Sequence, residues 1–138
     1  MIMKMVLDEN AYMPTKAHFD DAGFDLYSPL PVVIPKRGCI SIDTGVHIQI
    51  PSGMVGFLKS KSGLNVNHSI LSEGVIDSGY TGSIVVKLYN HSDTDYMIEK
   101  GNKITQIVFL PIPSITLKQV ESIEDSDRGD NGFGSSGK

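Results

Sequence analysis

Val46-His47-Ile48-Gln49-Ile50 places three β-branched apolar side chains on one side of the chain and two polar ones on the other. Successive side chains of an extended backbone point to opposite faces, so this alternation marks a strand with one buried face. The same period recurs in Ile84, Val86 and Leu88, which alternate with Val85, Lys87 and Tyr89. It recurs again from Ile104 to Leu110, where Ile104, Val108 and Leu110 stand against Thr105, Ile107 and Phe109, with Gln106 falling in the first set. Turn signals separate the runs: Pro35-Lys36-Arg37-Gly38, Pro51-Ser52-Gly53, Asp77-Ser78-Gly79 and Lys100-Gly101-Asn102. No long segment carries a helical stripe, and a single short helix after Ser62-Gly63-Leu64 is the most the pattern allows. The expectation is an all-β domain, a jelly-roll-like sandwich or barrel.

The bulk properties narrow the class. At 138 residues the chain makes one domain, and its 40% hydrophobic and 20% charged content is ordinary for a soluble protein. No apolar run nears the ~18 residues of a membrane helix. Met1 to Leu7 is apolar but too short for a signal peptide and is closed by Asp8 and Glu9, so an early strand is expected. Cys39 stands alone, which precludes an intramolecular disulfide and fits a reducing, cytoplasmic setting. A net charge of -4 argues against a nucleic-acid binder. Arg37 and Arg128 are the two arginines, so phosphate chemistry must rest on a few placed cations and on backbone N–H groups. Composition shifts near residue 118. A β core over 1–118 and a flexible arm over 119–138 are expected, since the arm is acidic, then glycine-rich, and has little to bury.

Five segments could carry chemistry, and each also has a plain structural reading. Asp21-Ala22-Gly23-Phe24-Asp25-Leu26 is a turn into a strand, with Gly23 expected at positive φ. Ser60-Lys61-Ser62-Gly63-Leu64 follows a strand around Val55, Phe57 and Lys59, and is either a polar turn or a phosphate cradle. It lacks the spacing of a P-loop. In Gly74-Val75-Ile76-Asp77-Ser78-Gly79-Tyr80-Thr81-Gly82, Asp77 can open a tight turn or orient water against phosphorus, and Tyr80 can pack on a sugar. Gln106, in Gly101-Asn102-Lys103-Ile104-Thr105-Gln106, serves a buried hydrogen bond or a ligand. The tail from Arg128-Gly129-Asp130 through Phe133-Gly134-Ser135-Ser136-Gly137 is a disordered end or a mobile lid. As a lid, its arginine would grip phosphate and its aromatic would stack on a base. Its Arg-Gly-Asp gives no reason to expect cell adhesion, since nothing suggests export. His18, His47, His68 and His91 lack ligand spacing, so no zinc site is expected.

Taken in order across residues 21 to 137, the five segments resemble the five motifs of the trimeric dUTPase family. That resemblance implies hydrolysis of dUTP to dUMP and pyrophosphate by Mg²⁺-assisted in-line attack of water on the α-phosphorus, limiting uracil in DNA and supplying dUMP. It implies that Asp77 orders the attacking water and the 3′-hydroxyl and that Tyr80 lies under deoxyribose. Lys61, Ser62, Gly63 and Gln106 would bind phosphates. Asp25 would act through water on a magnesium ion held mainly by the triphosphate. Arg128, Phe133, Gly134, Ser135 and Ser136 would come from a neighbouring subunit of a homotrimer whose active sites lie between subunits. The base-binding hairpin is expected at roughly residues 66 to 75, without the asparagine that some members use for uracil.

The chain departs from the family pattern at Lys61, where arginine is usual, at Asn102-Lys103 in place of Asp-Arg, and at Thr81 after the tyrosine. A lysine keeps the charge but loses the planar bidentate fork. Two rivals share the fold. A dCTP deaminase would need its catalytic glutamate where Lys87 stands. A non-catalytic or regulatory relative, such as a prophage could encode, would bind nucleotide or protein without turnover.

Overall fold

The computed structural model describes every residue except Ser136 and Lys138. The strands are β1 (Met5–Leu7), β2 (Phe24–Tyr27), β3 (Val32–Ile34), β4 (Cys39–Asp43) and β5 (Val46–Ile48), followed by β6 (Met54–Lys59). After the helix α1 (Ser62–His68) come β7 (Ile70–Asp77), β8 (Val85–Asn90), β9 (Tyr96–Ile98) and β10 (Lys103–Pro111). Six strands form one antiparallel sheet in the order β2-β10-β6-β7-β8-β4, and β1-β5 and β3-β9 form two small antiparallel pairs. The large sheet curls because β7 changes partner along its length. Ile70 to Ser72 pair with β8, and Glu73 to Asp77 pair with β6. This is the all-β architecture that the period-two runs imply, with α1 as its one short helix.

Alternation is kept where it is clearest. In β8, Val86, Leu88 and Asn90 are buried, and Val85, Lys87 and Tyr89 face outward. Val46, Ile48 and Ile50 join Leu26, Ile34, Ile42, Leu58, Ile70, Ile84, Ile98, Ile104 and Ile107 in one core. Each such side chain contributes about 1.5–3 kcal/mol on leaving water. Asn90 is tolerated there because its amide donates to the carbonyls of Ile34 and Thr94.

Two expectations are corrected. The strict alternation expected along β10 breaks, because the register with β2 shifts between Lys103 and Thr105. That irregularity buries both Ile104 and Thr105 and then places Ile107 inward, leaving Leu110 outside. Residues 66 to 75 do not form a hairpin. They comprise the end of α1, a left-handed Ser69 that terminates it, and most of β7. Among the described residues no strand or helix follows Pro111, and no helix is long and apolar enough to cross a membrane.

Candidate active site

Three of the motif segments converge where β2, β10 and β6 lie side by side. Asp25 of β2 pairs with Gln106 of β10, which in turn pairs with Lys59 of β6. Just past Lys59 the chain turns through Ser60 and Lys61 into α1, so Lys61 reaches back across the sheet. Its ammonium donates to one carboxylate oxygen of Asp25, and Lys103 Nζ lies 3.0 Å from the other. The Asp25 side chain is only 6% exposed, a burial that a carboxylate tolerates when both oxygens are paired. Asp25, by hydrogen bond and by charge, holds the Lys103 ammonium above the usual lysine range. Lys103, noted in the sequence only as part of the Asn102-Lys103 departure from the family pattern, is the member of this cluster to which no role was given. Its position at a strand start is unremarkable in sequence, and only the β2–β10 pairing brings it to Asp25.

Gln106 makes the structural hydrogen bond that is one of the two readings given to it. Its amide donates to the Ser60 carbonyl at 3.1 Å, which pins the turn leading to Lys61. The other end of the amide lies over Gly23, where an added Cβ would fall 2.6 Å from Gln106 Oε1. Gly23 is therefore required by close approach, and not by the positive φ expected for it, since it is absent from the left-handed glycines. A hydroxyl ladder supports the same turn: Ser60 Oγ accepts from Ser72 N at 2.9 Å, Ser72 Oγ and Thr105 Oγ1 are 2.7 Å apart, and Thr105 donates to the Lys59 carbonyl. Ser62 and Gly63 open α1 on the exposed side, and a Cβ on Gly63 would meet nothing within 4 Å. The first N–H groups of a helix have no acceptor within it.

Asp77 and Tyr80 lie elsewhere. Asp77 ends β7 opposite Val55, whereas Gln106 and Glu73 stand opposite Lys59. Four residues of strand put the two ends of β6 roughly 13 Å apart. Asp77 is exposed and makes no ion pair among the described residues. Its carbonyl accepts from Tyr80 N in a tight turn with Gly79 at φ 86°, and the Tyr80 hydroxyl donates to the Ser83 carbonyl at 2.8 Å.

The arm joins neither group. Arg128 Nε donates to the Asn131 carbonyl, Ser135 N to the Gly132 carbonyl, and Phe133 is fully exposed. Gly134 is left-handed at φ 90°, and Ser136 lies outside the described residues. Among the described residues, the only backbone hydrogen bond from the chain after Pro111 to the β core is Ile112 N to the Gly53 carbonyl. Lys87, on the outward face of β8, sits 5.3 Å over the Tyr89 ring, and no carboxylate takes its place as a deaminase would require.

Among the described residues no group of three or more His, Cys, Asp or Glu side chains could hold a metal ion. Both Asp25 oxygens are taken up by lysines.

Comparison with known proteins places this geometry. The dUTPase family model matches residues 9–137, a span that includes all five segments. The chain is 42% identical over 132 residues to a probable deoxyuridine 5′-triphosphate nucleotidohydrolase of Schizosaccharomyces pombe, covering 95% of this chain and 94% of that one. It is 40% identical over 134 residues to the deoxyuridine 5′-triphosphate nucleotidohydrolase of Clostridioides difficile, with the same coverage. Among solved structures, the Staphylococcus bacteriophage 80alpha dUTPase with dUPNHPP superposes with a TM-score of 0.93 at 35% identity, over 99% of each chain. A dUTPase of Staphylococcus aureus phage phi11, studied for its coordination of a structural Mg(II) ion, superposes with a TM-score of 0.83 at 31% identity, over 91% of this chain and all of that one. With strand order, motif order and near-complete coverage in agreement, this chain belongs to the dUTPase family.

Proposed function

We propose that this protein is a dUTP diphosphatase, converting dUTP and water to dUMP and pyrophosphate. The observation that carries the reading is the family match across residues 9–137, which takes in both the folded cluster and the arm. In the reaction a water oxygen attacks the α-phosphorus in line, the bond to the bridging oxygen breaks, and pyrophosphate leaves. Asp77, exposed and unpaired, orients that water and accepts hydrogen bonds from it. Tyr80 packs against deoxyribose. Lys61, Gln106 and the N–H groups at Ser62 and Gly63 bind phosphate oxygens, with Lys61 leaving Asp25 as the nucleotide enters and Lys103 keeping that carboxylate paired. Arg128 and Phe133 close over the phosphates and base, and Gly134, Ser135 and Ser136 supply backbone and hydroxyl donors. Asp25 would hold, through water, a magnesium ion brought in on the triphosphate, which would supply charge to offset that of the leaving pyrophosphate.

The active unit in this reading is a homotrimer. Asp77 stands at the opposite end of β6 from Lys61 and Gln106, so a single chain does not assemble the site. Val75 and Leu110 are 61% and 42% exposed on the outer face of the sheet, in a hollow also lined by Phe57 and Val108. Ile115 and Leu117, which follow β10, and Ile123 of the arm are likewise exposed. Apolar surface of this extent is what a neighbouring copy would cover.

Incubation with each deoxynucleoside triphosphate, following pyrophosphate, tests the reading. Release from dUTP with Mg²⁺ is expected. No release from dUTP by intact trimers would overturn it, and ammonia from dCTP would transfer the chain to the deaminases.

A further inference from the structure

The turn that carries Asp77 and Tyr80 is tied to the corner between β4 and β5 by three side chains. Thr44 Oγ1 donates to the Ile84 carbonyl at 2.7 Å. Ser83 Oγ donates to the Asp43 carboxylate. His47 Nδ1 lies 2.8 Å from the carbonyl oxygen of Thr81, the residue next to Tyr80. The second ring nitrogen of His47, Nε2, lies 3.0 Å from Oδ1 of Asp8, just beyond β1. Thus His47 bridges the N-terminal segment to the turn, and the place of the Tyr80 ring depends on backbone held by this bridge and its two neighbours.

Both partners of His47 are hydrogen-bond acceptors. A neutral imidazole has one N–H and satisfies one of them, while the doubly protonated ring satisfies both. We infer that His47 is a proton-dependent positioning residue for the Asp77–Tyr80 turn, acting through an Asp8–His47–Thr81 latch that is complete when the ring is doubly protonated. This rests on the assignment of Asp77 and Tyr80 to the substrate site proposed above. The charged groups around the ring are Asp8, Asp43 at the end of β4, and Lys4, which lines the same cleft. Two carboxylates against one ammonium favour the imidazolium. The Thr81 carbonyl foremost, and then Asp8, holds His47 above the usual histidine range. The latch is therefore complete below about pH 6.5 and is released as pH rises through the raised value. Release loosens Thr81 and with it the ring that faces the sugar.

Kinetics of the full chain with dUTP and UTP, from about pH 5.5 to 9, read this directly. In the wild type, KM for dUTP rises with pH through an inflection above the ordinary histidine range. In His47→Leu, KM is already raised about tenfold at low pH, the inflection is gone, and preference for dUTP over UTP falls. Asp8→Asn keeps an acceptor without the charge and moves the inflection to lower pH, which serves if His47→Leu folds poorly. Folded variants with wild-type KM–pH curves and wild-type sugar preference would overturn the inference. Absence of dUTP hydrolysis by the wild type would instead overturn the dUTPase reading. The latch is then judged by NMR: Tyr80 ring resonances must shift with the His47 midpoint, and resonances that ignore it refute the latch.

Discussion

Asp77, Lys103 and His47 each carry a separable role. Asp77→Asn keeps the shape of the side chain and removes its charge. Turnover should fall by at least ~10² while a non-hydrolysable dUTP analogue still binds, measured by pyrophosphate release and by calorimetry. Equal loss of both would assign Asp77 to binding. Lys103→Ala leaves Lys61 as the single cation on a buried carboxylate, so Lys61 is less available to phosphate and KM rises more than kcat falls. Because Lys103 titrates higher folded than unfolded, its contribution to stability is complete below about pH 10.4 and disappears only as alkali passes its raised value. Asp43 has the opposite sign. Ser83 and the Gly45 N–H hold it below the usual carboxylate range, so its contribution is present above about pH 3.9 and is lost in stronger acid. Between these limits His47 is the one group here whose stabilisation fades near neutrality. Thermal denaturation from about pH 6 to 9 should show a decline in wild type that His47→Leu lacks.

At the scale of elements, the site depends on how closely β2 approaches β10. Gly23→Ala forces a methyl group against Gln106 Oε1, so the glutamine must leave the Ser60 carbonyl or the strands must part. A loss of about 1–3 kcal/mol in denaturant unfolding is expected, with a raised KM for dUTP. A neutral effect would mean that Gln106 has room to turn. The register shift at Lys103/Thr105 acts on the same strand. It turns Thr105 inward to meet Ser72 while Lys103 stays outside beside Asp25, although strict alternation would put these two residues on one face. Periodicity alone identified β5 and β8 and misjudged which β10 residues are buried, because a bulge leaves no local signature in composition.

For the whole molecule, the arm and the division of the site make the strongest claims. Truncation before Arg128 should leave thermal stability near that of the intact chain, since the described arm makes no contact with the core through Arg128 or Phe133, and should cut turnover severely. Full activity after truncation would remove the arm from the mechanism. If Lys61 and Asp77 of one site come from different subunits, mixing Lys61→Ala with Asp77→Asn after unfolding and reassembly should restore activity that neither has alone. No restoration in mixed trimers would place both residues of a site on one chain.

The sequence by itself determined the strand class, the order of the motifs and, through that order, the family, and it allowed one short helix, expected after Ser62-Gly63-Leu64 and found to begin at Ser62. These are local properties, set by side-chain period, turn chemistry and spacing along one chain. Only the tertiary structure decided that Gly23 makes room for Gln106, that Lys103 shares Asp25 with Lys61, that His47 holds the Tyr80 turn, and that Asp77 stands away from the phosphate cluster. The residues in these contacts lie about 35 to 80 positions apart in the chain. Strand pairing brings them together, and register sets which side chains meet, a choice that no window of sequence contains.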